Sequence, residues 1–154
     1  MIQNITAEAF APYGKLFKAG EGDPASHDDI SAYWHDVCGD MLGSDDIVTG
    51  FLTVRSQPML ADELERHQIF GEVFITVGGE GILAVAPAGD SMDTESVELF
   101  RVRPGDAFLL KKGVWHKPPV PAKEEISFFM VLPKDILSDI DKRKISAVSL
   151  TEQA

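Results

Sequence analysis

Three features of this chain predict an all-β, single-domain fold spanning residues 1–154. β-branched and aromatic residues come in short runs, Gly and Pro punctuate those runs, and no helix-rich segment separates them. Together they argue for a small sandwich or barrel and against a parallel α/β sheet.

The elements follow in order. Thr6-Ala7-Glu8-Ala9-Phe10 reads as a short helix capped by Thr6 and stopped by Pro12 and Gly14. Ala19 to Ser31, rich in Gly, Asp, Ser and Pro, reads as a loop. A strand is expected around Tyr33 to Val37, then a turn region from Cys38 to Asp46. Ile47 to Val54 is a strand by its β-branched and aromatic content. Phe70 to Val77 is another, closed by the turn signal Gly78-Gly79-Glu80-Gly81, with Ile82 to Ala86 returning from it. Val97 to Val102 ends at Pro104-Gly105, and Ala107 to Leu110 is short and apolar. Ile126 to Leu132 is almost continuously apolar, as expected of a central strand buried on both faces. Pro133 to about Lys142 is expected to be a short helix, and Ile145 to Leu150 a final strand.

The 154 residues suffice for one core, and 44% apolar content is not that of a disordered chain. The formal net charge of -11 disfavours nucleic acid and anionic membranes, both of which need a basic footprint. Cys38 is the one cysteine, which fits a reducing compartment. Met1 to Tyr13 lacks a basic region followed by an apolar run, and no apolar run reaches membrane-spanning length. A cytoplasmic location is expected, with neither nucleic acid nor membrane as partner.

Chemistry-bearing residues gather in two segments. One is Glu65-Arg66-His67 with Glu72 and Gly79 downstream, and the other runs from Gly105 to His116 through Lys111-Lys112-Gly113-Val114-Trp115. Side chains two apart on a strand share a face, so Glu65 and His67 point one way and Arg66 the other. Two His and two carboxylates at strand ends are what a metal site or an acid–base site inside a small barrel requires. Neutral imidazoles and carboxylates suit Zn, Ni, Mn or Fe. The alternative for each His is a strand-end residue with a satisfied hydrogen bond. For Glu65 it is a solvated charge beside Asp62 and Glu63. Glu72, inside an apolar pattern, needs a partner. An anionic substrate would need local positive charge, for which Arg66, Lys111 and Lys112 are candidates. In extended chain only one of the two lysines faces a pocket. Trp115 is either packing or a wall of the substrate site. His27, and Cys38 with His35, carry no activated-residue pattern. Tyr33-Trp34 suits either a pocket mouth or a dimer contact.

Gly105, Gly113 and His116 stand at the positions of the second conserved motif of the cupin barrels, with Lys111 where that motif has Pro. His67, Glu72 and Gly79 match the first motif, with Glu65 where its first His belongs. The chain thus resembles a cupin, a double-stranded β-helix or jelly-roll barrel with a few short helices. The resemblance maps Glu65, His67, Glu72 and His116 onto four metal-ligand positions. Glu-Arg-His before a strand, Gly-Val-Trp-His followed closely by Pro, and the opening Ile5 to Gly14 resemble the ureidoglycolate lyase family over Ile5 to about Leu132. Family members usually carry Tyr-His-Arg where this chain has Leu110-Lys111-Lys112, often Gln at Glu72, and His-Pro where it has Lys117-Pro118.

The resemblance implies cleavage of ureidoglycolate, a small carboxylate of allantoin (purine) catabolism, to glyoxylate and urea. For that reaction the candidate catalytic residues are His67, His116, Glu72 and Lys111. Arg66, Lys112 and Trp115 would meet the substrate, and a divalent metal would sit on Glu65, His67, Glu72 and His116. The same site would also do proton transfer without metal. A homodimer paired through exposed strand edges is the family expectation. The competing readings are another cupin enzyme, such as a metal-dependent isomerase or dioxygenase, and a non-catalytic binder of small anions.

Overall fold

A computed structural model describes residues 1–152, so the predicted boundary of 154 extends past the described residues. The strands are β1 (Ile2–Asn4), β2 (Gly14–Leu16), β3 (Ser26–His27), β4 (Ala32–Tyr33), β5 (Ile47–Arg55), β6 (Leu60–Arg66), β7 (Glu72–Gly78), β8 (Gly81–Ala86), β9 (Glu98–Val102), β10 (Ala107–Leu110), β11 (Trp115–Pro121), β12 (Glu125–Pro133) and β13 (Asp141–Ser149). Helix α1 (Ala7–Phe10) starts where predicted, with the Thr6 hydroxyl accepting from the Ala9 N–H. Single 3-10 turns stand at Thr94–Ser96 and Ile136–Ser138.

One sheet runs β1-β9-β8-β11-β6-β13 and the other β2-β10-β7-β12-β5, with β3 and β4 a separate hairpin. Among the described residues only β1 pairs in parallel, with β9. Two facing antiparallel sheets wound from alternating strands form the double-stranded β-helix of the cupins. Between the sheets lies the main core: Phe10, Phe74, Phe100, Phe108, Phe128 and the aliphatic side chains around them. The outer face of the first sheet buries a second cluster around Trp115, Leu64 and Leu99. The outer face of the other sheet is covered near Leu42, which packs with Val73 and Leu109.

The alternation in β7 explains its placement. Glu72, Phe74 and Thr76 point inward and Val73 and Ile75 outward, where the cluster of Leu42 covers them. At Gly79, φ is +78°, and a Cβ there would lie 2.3 Å from the Glu125 carbonyl oxygen, so the β7–β8 turn requires glycine.

Four expectations need correction. The strand around Tyr33 shortens to Ala32–Tyr33. β12 lies inside its sheet, between β7 and β5, but alternates in burial instead of being covered on both faces. Its outward Phe129 packs edge-on against the exposed Phe51 of β5. The helix expected over Pro133 to Lys142 shrinks to Ile136–Ser138, because Asp141 to Lys144 are drawn into the ladder with β6. Finally, β6 and β11, not expected as strands in full, are both present. Among the described residues no helix is long and apolar enough to cross a membrane.

Candidate active site

The two chemistry-bearing segments meet between the sheets. His116 in β11 pairs with Glu65 in β6, so their inward side chains lie side by side. Glu72 opens β7 on the facing sheet and looks across at both histidines. The turn before β11 is tied to this arrangement. Gly113, at φ +83°, donates its N–H to the His67 carbonyl at 2.6 Å, which a side chain at that φ would strain.

Both imidazoles are oriented through Nδ1. His67 Nδ1 lies 2.6 Å from the Asp139 carbonyl oxygen, and His116 Nδ1 lies 3.0 Å from that of Val114. A carbonyl only accepts, so each Nδ1 carries the proton and each neutral ring presents an Nε2 lone pair. Both lone pairs converge on Glu72 Oε1, at 3.3 Å from His67 and 3.0 Å from His116. Glu65 Oε1 is 3.7 Å from His116 Nε2. His116 is 1% exposed, and its Nε2 has no hydrogen-bond partner of suitable geometry.

Two lone pairs and an anionic oxygen at such distances repel unless a proton or a cation lies among them. The titration properties reflect this. Burial disfavours protonated His67, but the hydrogen bond and charge of Glu72, with the Asp139 carbonyl and Glu65 behind, outweigh it and raise its pKa above the ordinary value. Burial would raise the Glu72 pKa, yet its contacts with His116 and His67 bring it down to about 2.

A metal also satisfies the cluster. One ligand atom each from Glu65, His67 and His116 lies within 4.8 Å of the others, a grouping that could hold a metal ion. The partnerless His116 Nε2 and the mixed imidazole–carboxylate donors fit a borderline divalent ion. Glu72 completes the four residues named from sequence.

The remaining candidates lie elsewhere. Arg66 points through the opposite face of its sheet, as alternation dictates, and pairs with Asp141 at 3.0 Å and Asp90 at 3.2 Å. Trp115 shares that outer face, is 0% exposed and packs in the second core, so it does not reach the cluster. Lys111 and Lys112 line a separate hollow with Asp40, Met41, Gly43 and Ile69, because the chain turns at Gly113 between them and His116. The cations that line a crevice with Glu65 and His116 are instead Lys117 and Lys142.

Sequence reasoning also missed Asp139. Besides its carbonyl contact to His67, its carboxylate accepts from the backbone N–H groups of Gln68, Ile69 and Phe70 at 3.0, 2.8 and 3.2 Å. It clamps the turn that joins His67 to Glu72. Asp139→Ala is expected to cost about 1–3 kcal/mol in chemical denaturation and to weaken divalent-metal binding roughly 10–100-fold. Asp139→Asn, which keeps an acceptor, should recover much of both.

The comparisons with known proteins agree with the sequence resemblance. The model of the family described as ureidoglycolate lyase matches residues 1–152. A protein named ureidoglycolate lyase from Pseudomonas putida (strain W619) is 25% identical over 137 residues, 85% of this chain and 82% of that one. Another of that name from Azotobacter vinelandii is 25% identical over 136 residues, 84% of this chain and 82% of that one. Among solved structures, Bacillus subtilis oxalate decarboxylase matches at 19% identity and a TM-score of 0.44, covering 68% of this chain and 24% of that one.

Proposed function

The chain belongs to the ureidoglycolate lyase family, and from that premise we propose that it cleaves ureidoglycolate to glyoxylate and urea at the Glu65, His67, Glu72 and His116 cluster. The observation that carries this reading is the convergence of two imidazole Nε2 atoms on the Glu72 carboxylate. In the reaction the substrate hydroxyl loses its proton and the C–N bond breaks. The carbonyl of glyoxylate forms, and the departing nitrogen takes up a proton.

In the metal-free form, His116 Nε2 is the site that accepts the hydroxyl proton, since it has no aligned partner of its own. His67, favoured in its protonated form by Glu72, supplies the proton to the leaving nitrogen. Glu72 stays ionised and holds the two rings toward the substrate. Lys117, half-buried beside His116, meets the substrate carboxylate with Lys142 behind it, the role that sequence alone assigned to Lys111 or Lys112. A divalent ion held by Glu65, His67 and His116, when bound, would lower the pKa of the substrate hydroxyl. The finer expectations belong to the same proposal: a cytoplasmic homodimer in the breakdown of allantoin-derived ureidoglycolate.

Glyoxylate release from ureidoglycolate, with and without added divalent metal, tests the activity, and no turnover under either condition would sink it. Elemental analysis of purified His67→Ala/His116→Ala protein tests the ion. Metal is expected to fall to background in the double variant, and equal content in both proteins removes the metal-assisted version.

A further inference from the structure

The cluster opens in two chemically different directions. One is the crevice of about 260 Å³ that carries Lys117 and Lys142. The other is a chamber of about 350 Å³, with His67, Glu72 and Glu65 on its wall. Leu52, Glu65 and Pro118 border both. Apart from the cluster the chamber is mostly hydrocarbon: Leu52, Phe74, Met130, Leu132, Ile136 and Ile140 contribute to it, and Thr49 brings the one further polar side chain. No Lys or Arg lines it among the described residues.

A small acid with its reacting carbon at the cluster must send one substituent each way. Its carboxylate goes to the lysines, where charge is matched. Its ureido group then points into the chamber. The proximal N–H would meet Glu72, and beyond the distal nitrogen the wall is mostly apolar. Unsubstituted ureidoglycolate leaves most of that apolar space unfilled. The volume is at the lower end of those that hold organic ligands, about 300–1,000 Å³.

We propose that this chain takes 2-ureido-2-hydroxy acids whose distal urea nitrogen bears an apolar substituent, with that substituent in the Leu52–Phe74–Met130–Leu132 chamber and the carboxylate at Lys117 and Lys142. The inference rests on the lyase reading for its chemistry. The step is redox-neutral: the hydroxyl gives up its proton and the C–N bond breaks with its electrons to nitrogen. That nitrogen is protonated, and glyoxylate and the N-substituted urea leave.

The test compares ureidoglycolate with its N′-methyl, N′-butyl and N′-phenyl derivatives, following glyoxylate. KM is expected to fall along the series, at least about tenfold for phenyl. A flat or rising KM, or turnover of the parent alone, overturns this inference while the lyase reading stands. If none is turned over, the lyase reading fails and calorimetry decides the chamber. N-(phenylcarbamoyl)glycine should then bind at least about tenfold tighter than N-carbamoylglycine, with a negative heat-capacity change. Equal or weaker binding, as when a second copy of the chain fills the opening, overturns it. Ile140→Glu, at a half-exposed rim position that tolerates a charge, is expected to erase the phenyl advantage. An unchanged advantage also overturns the assignment.

Discussion

Glu72→Gln is expected to lower glyoxylate release by about 10²–10⁴-fold, the range for loss of positioned acid–base groups, while leaving the fold intact. Gln fills the same space at the head of β7 but brings no charge to the two imidazoles. The raised affinity of His67 for a proton comes from Glu72 working against burial. Without the carboxylate, burial prevails, and the protonated form of His67 that serves the leaving nitrogen is disfavoured. The same substitution should flatten the acid limb of stability in metal-stripped protein. The Glu72 carboxyl drops from 4.5 unfolded to about 2 folded. A depressed folded pKa stabilises above the unfolded value, and that contribution is lost as pH falls from about 4.5 to about 2. At 1.36 kcal/mol per unit the stake is about 3 kcal/mol, shared with the histidines and counted once. His67 has the opposite sign: its raised pKa stabilises fully below the ordinary value of 6.5, and the benefit fades as pH rises through the folded value. Urea denaturation across the acid range, wild type against variant, checks this. Parallel curves for the two proteins would remove the Glu72 pair as the source.

How much of this was legible in the sequence depended on whether local pattern and tertiary role agreed. β7, its glycine turn and β8 were readable because alternation, β-branching and Gly79 all point to one hairpin. β6 was not, since Leu-Ala-Asp-Glu-Leu-Glu-Arg carries acidic residues at the positions that face the site and the crevice. β11 was hidden by Pro118, Pro119 and Pro121, which cannot donate to a ladder. The structure accommodates them with a register shift between Lys117 and Val120. The same irregularity lets Lys117 line the crevice of its neighbour His116, against simple alternation. The four cluster residues were legible because their spacing is local within each segment. Asp139 had no local signal: its contact to His67 spans 72 residues of sequence.

Trp115→Ala should be among the most destabilising single changes in the chain, whereas Trp115→Phe should leave substrate affinity unchanged. The indole is 0% exposed and sits among Leu64, Ala84, Ala86 and Leu99 on the outer face of its sheet. Its truncation removes a large buried side chain at about 3–5 kcal/mol. Two guanidinium groups also approach the indole, Arg66 at 4.5 Å and Arg143 at 4.9 Å from the ring centroid. Each stacked cation adds about 0.5–2 kcal/mol. Its N–H donates to the Gly89 carbonyl at 2.9 Å, which also accepts from Arg66 at 2.8 Å, while Arg143 donates to the Asp90 carbonyl. The ring therefore anchors the segment between β8 and β9 to the back of the strands that carry Glu65 and His116. Against a typical native stability of about 5–15 kcal/mol, that loss takes a large share of the margin, and the Ala variant loses activity wherever the remainder is too small to keep it folded. Its activity would then report folding, not contact with substrate. Phe separates the two, because it keeps the packed ring and loses only the N–H and some area. Thermal unfolding should show a modest loss for Trp115→Phe, with KM for ureidoglycolate at the wild-type value. A several-fold rise in KM in that folded variant would instead place the indole within reach of the substrate, and alternation along β11 would then be the wrong guide to which residues face the site.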